Sequence, residues 1–299
     1  MRLTPLGKTL VFLIGAGLVA TAVYLYGPEL RQQAQEIRGQ KEADRARQGE
    51  KAEKAEREPA ERSPEERGPR QLADRPLGAG PWIAVGGGLY DSGPEQVAIE
   101  VPAFRIHRTE LTNGEYQAFL DDCPVGSQCG PRDLPSYWDD ASYLETHRDH
   151  PVVFVTWGDA SAYCRWAKGR LPTAAEWEKA ARGTDGRNFP TGAALDPSHV
   201  NILGAEHDQK LKAPKQIPTW AVTDPRYARD ASPYGVLGMG GNVSEWTATA
   251  SDEEPDLRLA AGGSWDSWDL SDARVYHRLP KNPADRSSSV GFRCAAGAS

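Results

Sequence analysis

The hydrophobic pattern is densest at the start of the chain, where Leu10 to Tyr26 reads LVFLIGAGLVATAVYLY without a charge. Crossing a bilayer takes about 20 apolar residues. With Thr9 and Gly27 beside it this run just suffices, and one transmembrane helix is predicted. Arg2 and Lys8 precede it, which favours an N-terminus left in the cytoplasm. A cleaved signal peptide is the rival, since Ala20-Thr21-Ala22 has the small residues of a cleavage site. The apolar run continues beyond that site through Val23, Tyr24, Leu25 and Tyr26, which favours an uncleaved anchor over residues 1–28. Either way residues 29–299 leave the cytoplasm.

The pattern then turns mostly polar. Residues 29–58 are mainly Glu, Lys, Arg, Gln and Ala, with Glu50 four residues before Lys54 and Glu53 four before Arg57, spacings that support a solvated helix. No apolar stripe recurs every 3.5 residues, so a coiled-coil dimer is not supported. Pro59, Pro64 and Pro69 stop any helix, and 59–80 reads as an extended or disordered tether. Residues 29–80 are therefore a charged stalk and linker, and 81–299 the folded domain. In that domain, short β-like runs such as Trp82–Val85 and Val152–Val155 are cut by Gly and Pro. Helices are predicted at Thr112 to Leu120, with Tyr116, Phe119 and Leu120 on one side, and over Gly158 to Lys168 and Thr173 to Arg182, split at Leu171-Pro172. Thr173 followed by Glu176 has the form of a capping box. Much of 183–290 has no clear period and is expected to be loop-rich.

Charge sharpens this division. The whole chain of 299 residues has a net charge of −7, yet 29–75 balance twelve acids against twelve bases with no aromatic residue, leaving a net acidic remainder that contains all nine Trp. Nucleic acid is excluded as a partner, because duplex binding needs a basic face to displace counterions. All four cysteines, Cys123, Cys129, Cys164 and Cys294, lie in the exported part. An even count outside the cytoplasm suggests two disulfides, with three possible connectivities. Cys123 and Cys129 bracket the loop PVGSQ, so a local bridge is natural, leaving Cys164 with Cys294.

Four ordered motifs carry a resemblance. WIAVGGG (82–88) precedes RTELTNGEY (108–116). HPVVFVTW (150–157) runs on through Tyr163-Cys164 to RLPTAAEWE (170–178). SPYG (232–235) leads to GNVSEWT (241–247). GGSW (262–265) and GFRCA (291–295) follow. This order closely resembles the sulfatase-modifying factor family, whose name-giving member is the formylglycine-generating enzyme. The resemblance implies an α+β, C-type-lectin-like, loop-rich fold over about 81–299, preceded here by the transmembrane helix and the stalk. It supports the Cys164–Cys294 pairing, since the matching cysteines bridge in the family enzymes. It also implies structural calcium at two sites, one matching Asn242 and Glu245, the other beginning at Asn201-Ile202 with Asp208 as an acidic ligand. Ca²⁺ takes six to eight oxygens, often from irregular loops.

One part of the family pattern is missing. The family enzyme oxidises a substrate cysteine with O₂ at a pair of cysteines that hold copper(I), a few residues after the GGS string. Those positions are Ser267 and Asp272. Copper(I) is soft and selects thiolate sulfur, while a hydroxyl and a carboxylate are hard ligands. No copper is therefore expected and no catalytic residue is assigned. Trp246, Ser264, Ser267 and Asp272 are candidates to border the pocket, with Arg274 and His277 close in sequence and Trp265 and Trp268 beside it. Arg274, Arg278 and Arg293 are expected to form buried ion pairs that pin loops. A Ser-His-Asp hydrolase is disfavoured, because no GxSxG elbow occurs. His147 and His150, around Asp149, are read as structural. The reading that follows is a single-pass protein of a bacterial inner membrane, anchored through 10–26, with its C-terminal domain in the periplasm or outside the cell. That domain would bind a protein or peptide partner in the envelope and regulate rather than catalyse. The alternative is an oxidoreductase of the same family with non-cysteine chemistry.

Overall fold

Three helix starts are dictated by one piece of local chemistry, a threonine followed three residues later by an acid. The structure, a computed structural model, describes residues 82–139, 141–202 and 217–298. In it Thr112 caps α1 (Asn113–Asp122), with its hydroxyl accepting from the Glu115 N–H while the Glu115 carboxylate accepts from the Thr112 N–H. After the short α2 (Ala141–Thr146), Thr156 and Asp159 do the same for α3 (Trp157–Trp166), and Thr173 and Glu176 for α4 (Ala174–Arg182). Each cap contributes about 1 kcal/mol. The helix expectations for these segments hold, including the inward face of Tyr116, Phe119 and Leu120.

The strands surround these helices. β1 (Trp82–Val85) pairs antiparallel with β4 (Phe104–His107), and β4 with β9 (Ala295–Gly297), so both ends of the domain share one sheet. Between them, β2 (Gly88–Ser92) and β3 (Val97–Val101) form a hairpin. A four-stranded sheet in the order β7-β6-β5-β8 is built from β5 (Ser244–Ala250), β6 (Arg258–Ala261), β7 (Arg278–Lys281) and β8 (Val290–Gly291), with β8 parallel to β5 and the other pairs antiparallel. The region after 183 is thus more regular than its lack of period suggests. Conversely, Val152–Val155 is no strand. Phe154 adopts a left-handed φ of 55°, and its N–H donates to the Ser287 carbonyl, so the buried run bends rather than pairing along its length.

Two cores result. One packs Tyr116, Phe119, Tyr163, Trp246 and Phe292 around the Cys164–Cys294 disulfide, which ties α3 to the residue before β9. The other places Trp177 of α4 against Phe104, Ile106, Met239 and Val275. Fully burying side chains of this size contributes roughly 1.5–3 kcal/mol each. The second disulfide is the local one, Cys123–Cys129. The described domain residues fall within one compact unit, Arg75–Ser299. Among the described residues no helix is long and apolar enough to cross a membrane. The run 10–26, the stalk 29–80 and Asp208 lie outside them.

Candidate functional site

The loop that carries the family's catalytic positions is set by two glycines and a turn. Gly262 has φ +78°, and a Cβ there would meet the Trp177 ring at 2.9 Å. A Cβ on Gly263 would lie 2.8 Å from the Gly240 carbonyl oxygen and 3.1 Å from that of Asp272. Only glycines let the chain run this close to the Gly238–Gly241 loop (GMGG) and to the helical turn Leu270–Ala273. The next residues close on themselves. Ser264 N donates to Ser267 Oγ at 3.0 Å, and Ser267 N to Ser264 O at 3.0 Å. The Ser267 hydroxyl is therefore held by its own turn. Asp272 Oδ1 lies 3.6 Å from His277 Nδ1, with both side chains about a quarter exposed, and burial lowers the His277 pKa against the opposing pull of Asp272.

Around this turn the expected pocket residues part company. Trp246, on β5, is buried in the first core, and its Nε1 donates to the Val155 carbonyl. Trp265 is half-buried, with Nε1 on the Ser288 carbonyl, while Trp268 is 70% exposed. Arg278 and Arg293 form the expected ion pairs, with Glu178 and Glu245. Arg274 does not; it is exposed, its guanidinium 6.0 Å from the Tyr276 ring centroid. His150 Nδ1 lies 2.9 Å from the Thr219 hydroxyl, and the His147 ring stacks on Tyr143, packing roles for both histidines.

Asn201, Asn242 and Glu245, expected to bind calcium, are engaged by protein groups. Asn242, at φ +70°, accepts on Oδ1 from Asn201 Nδ2 (3.0 Å) and Trp220 N (2.7 Å), and donates from Nδ2 to Glu110 (2.6 Å). Asn201 Nδ2 also donates to Pro218 O. The two asparagines, expected at separate sites, thus meet each other. Glu245 is elsewhere: both its oxygens face Arg293, and Oε2 also accepts from Trp177 Nε1 at 2.8 Å. Among the described residues no group of three or more His, Cys, Asp or Glu is arranged to hold a metal ion.

Sequence reasoning missed Asp230, which lies two residues before the SPYG motif and carries no signal of its own. It is buried beside the GMGG loop; one carboxyl oxygen accepts from Gly240 N at 2.7 Å and the other has no hydrogen-bond partner. Burial pushes its pKa up to about 7 from an ordinary 3.8. The folded state therefore keeps a proton that the unfolded chain releases, so this group's contribution to stability is full below about pH 4 and is lost as pH rises through about 7. Asp230→Asn, which cannot ionise, is expected to match the parent in urea at pH 4 and to unfold at higher urea than the parent at pH 8. Equal shifts at both pH values would sink the assignment.

With the fold and loop described, the relationship is clear: the chain matches the sulfatase-modifying factor enzyme 1-like domain over residues 72–298 and belongs to that family. The match reaches back into the segment read as linker. Among relatives, the chain is 39% identical over 158 residues to the inactive C-alpha-formylglycine-generating enzyme 2 of Bos taurus, covering 50% of this chain and 51% of that protein. It is 36% identical over 172 residues to the formylglycine-generating enzyme of Bos taurus, covering 50% and 45%. The chain thus spans about half the length of the curated relatives it matches. In three dimensions it resembles the crystal structure of CarF, with a TM-score of 0.54 and 19% identity over 73% of this chain and 98% of that one. That likeness shows the shared fold.

Proposed function

We propose that this protein is a membrane-anchored relative of the formylglycine-generating enzyme whose exported domain holds a partner segment without oxidising it. One observation carries the reading: oxygen stands at both positions where the family enzyme keeps its copper-binding thiolates. Ser267 is closed into its own turn and Asp272 faces His277. Neither hydroxyl nor carboxylate is a ligand that copper(I) selects, and none of the four cysteines is free to replace them. Similarity to a relative named as inactive agrees with this. In this reading residues 10–26 hold the chain in a bacterial inner membrane and 29–80 space the domain from it. As a flexible coil, the stalk would reach about 35–40 Å. Two disulfides suit an oxidising periplasm or exterior. The partner is a protein or peptide segment of the envelope, seated against the loop that carries Ser264, Ser267 and Asp272.

The full chain in mild detergent, incubated with a Cys-x-Pro-x-Arg peptide, copper(I), reductant and O₂, is expected to leave the peptide mass unchanged. Conversion of the cysteine to an aldehyde, trapped with a hydrazide, would overturn the reading. A second reading, an oxidoreductase with non-cysteine chemistry, draws on the Asp272–His277 pair, in which a carboxylate can orient an imidazole. It requires a turnover that His277→Ala abolishes.

A further inference from the structure

The Arg293 guanidinium is enclosed by oxygen. Nε donates to Glu245 Oε2 at 2.6 Å and Nη2 to Glu245 Oε1 at 2.7 Å. Nη2 also reaches the Leu237 carbonyl at 2.8 Å, and Nη1 the carbonyls of His107 and Arg108, each at 3.2 Å. Arg293 and Glu245 are both fully buried. The five oxygens come from the end of β4, the GMGG approach and β5, so the cage is assembled by the tertiary fold. A second buried carboxyl, Glu110, adjoins it and accepts from Asn242 Nδ2 and Val243 N. Burial and the neighbouring Glu245 both push the Glu110 pKa up, with Arg293 opposing.

Two carboxylate oxygens and three main-chain carbonyls form the hard-oxygen set that Ca²⁺ takes from irregular loops. All five are directed at the Arg293 guanidinium. The wall behind them is closed as well. A Cβ on Gly238 would lie 2.4 Å from the Tyr227 hydroxyl, which itself donates to Leu237 O and accepts from Glu110 N. Trp177 Nε1 seals Glu245 Oε2 from the other side. We infer that this is a cation site whose resident cation is the protein's own Arg293, so that the calcium implied by the family at Glu245 has no place in this chain. Removing the guanidinium leaves the buried Glu245 carboxylate with Trp177 Nε1 as its donor and no opposing positive charge, while Leu237 O keeps Tyr227 Oη and Arg108 O keeps Leu237 N; a divalent cation would replace the lost charge. Arg293→Ala thereby converts the cage into a calcium site.

The test uses the full chain in mild detergent, with thermal melts in EGTA or calcium and terbium luminescence sensitised through tryptophan. The parent and a folded Glu245→Gln variant should give the same terbium signal. Arg293→Ala should melt well below the parent in EGTA and recover by roughly 5–10 °C when calcium reaches about 100 times its Kd. It should also show a new terbium signal that calcium displaces. A terbium signal in the parent that folded Glu245→Gln loses would overturn the inference. So would a folded Arg293→Ala that neither gains terbium nor recovers with calcium. Should Arg293→Ala fail to fold in either condition, the parent and Glu245→Gln comparison decides alone.

Discussion

Replacing Cys164 and Cys294 together by alanine is expected to lower the melting temperature by about 10–20 °C. The two residues are 130 apart in sequence, and both are fully buried. Closing a loop of that length removes unfolded-chain entropy worth about 5 kcal/mol in the chain-entropy model. In a domain of this size each kcal/mol shifts the melting temperature by roughly 2–4 °C. The bridge also fixes where the C-terminal strand meets the helical layer: Cys164 lies on α3, and the residues after Cys294 complete the β4–β9 pairing. The local Cys123–Cys129 bridge spans a separation of only 6 and leaves Cys129 exposed. Its removal is expected to cost about 2 kcal/mol on the same model, and mild thiol should reduce it first. Circular dichroism melts of the two double variants check both numbers. A drop below about 5 °C for the buried pair would mean that packing, rather than the cross-link, holds the two layers together.

What the sequence made legible follows from how local each determinant is. The helix starts were readable because a threonine and an acid three residues on recognise each other within one turn, as Thr173 and Glu176 do. The disulfide pairs were readable from number, spacing and resemblance. Val152–Val155 misled because a run of apolar residues looks the same whether the chain continues straight or bends. The bend at Phe154 depends on the Ser287 carbonyl, far along the chain. The β5–β6–β7 sheet was hidden for a related reason. Strand β5 places Glu245 and Thr247 inward, and these polar positions break the apolar alternation that marks a half-buried strand. Their partners, Arg293 and the Leu259 carbonyl, are set by tertiary structure. At the site, counting from the GGS string located Ser267 and Asp272, but not what each touches. The Ser264–Ser267 turn and the Asp272–His277 pair exist because Gly262 and Gly263 let the loop fold against Trp177 and Gly240. The burial of Trp246 was not readable, because a tryptophan in a motif carries no sign of which face of its strand it occupies.

Glu178→Ala is the second substitution expected to have a large effect, about 3–5 kcal/mol in urea denaturation, because it strands charge in the interior. Glu178 lies in α4 and is nearly fully buried. Its Oε1 accepts from Gly93 N at 2.8 Å and from Arg182, whose side chain is wholly buried, at 2.9 Å. Its Oε2 accepts from Ser92 Oγ and Arg278 Nη2, each at 3.0 Å. One carboxylate thus holds the end of β2, the helix itself and β7. Removing it leaves Arg182, among the described residues, with the carbonyls of Gly93 and Gly186 and the Tyr276 ring, and no carboxylate to balance its charge. Glu178→Gln keeps an acceptor for the Gly93 amide while losing the charge, and should fall between alanine and the parent. Hydrogen exchange separates this from a general loss of stability: amides of the β2–β3 hairpin should lose protection before those around Cys164, because Glu178 holds the former and not the latter. A loss under about 1 kcal/mol for the alanine variant would show that water reaches Arg182 readily, and that the charge is not truly confined.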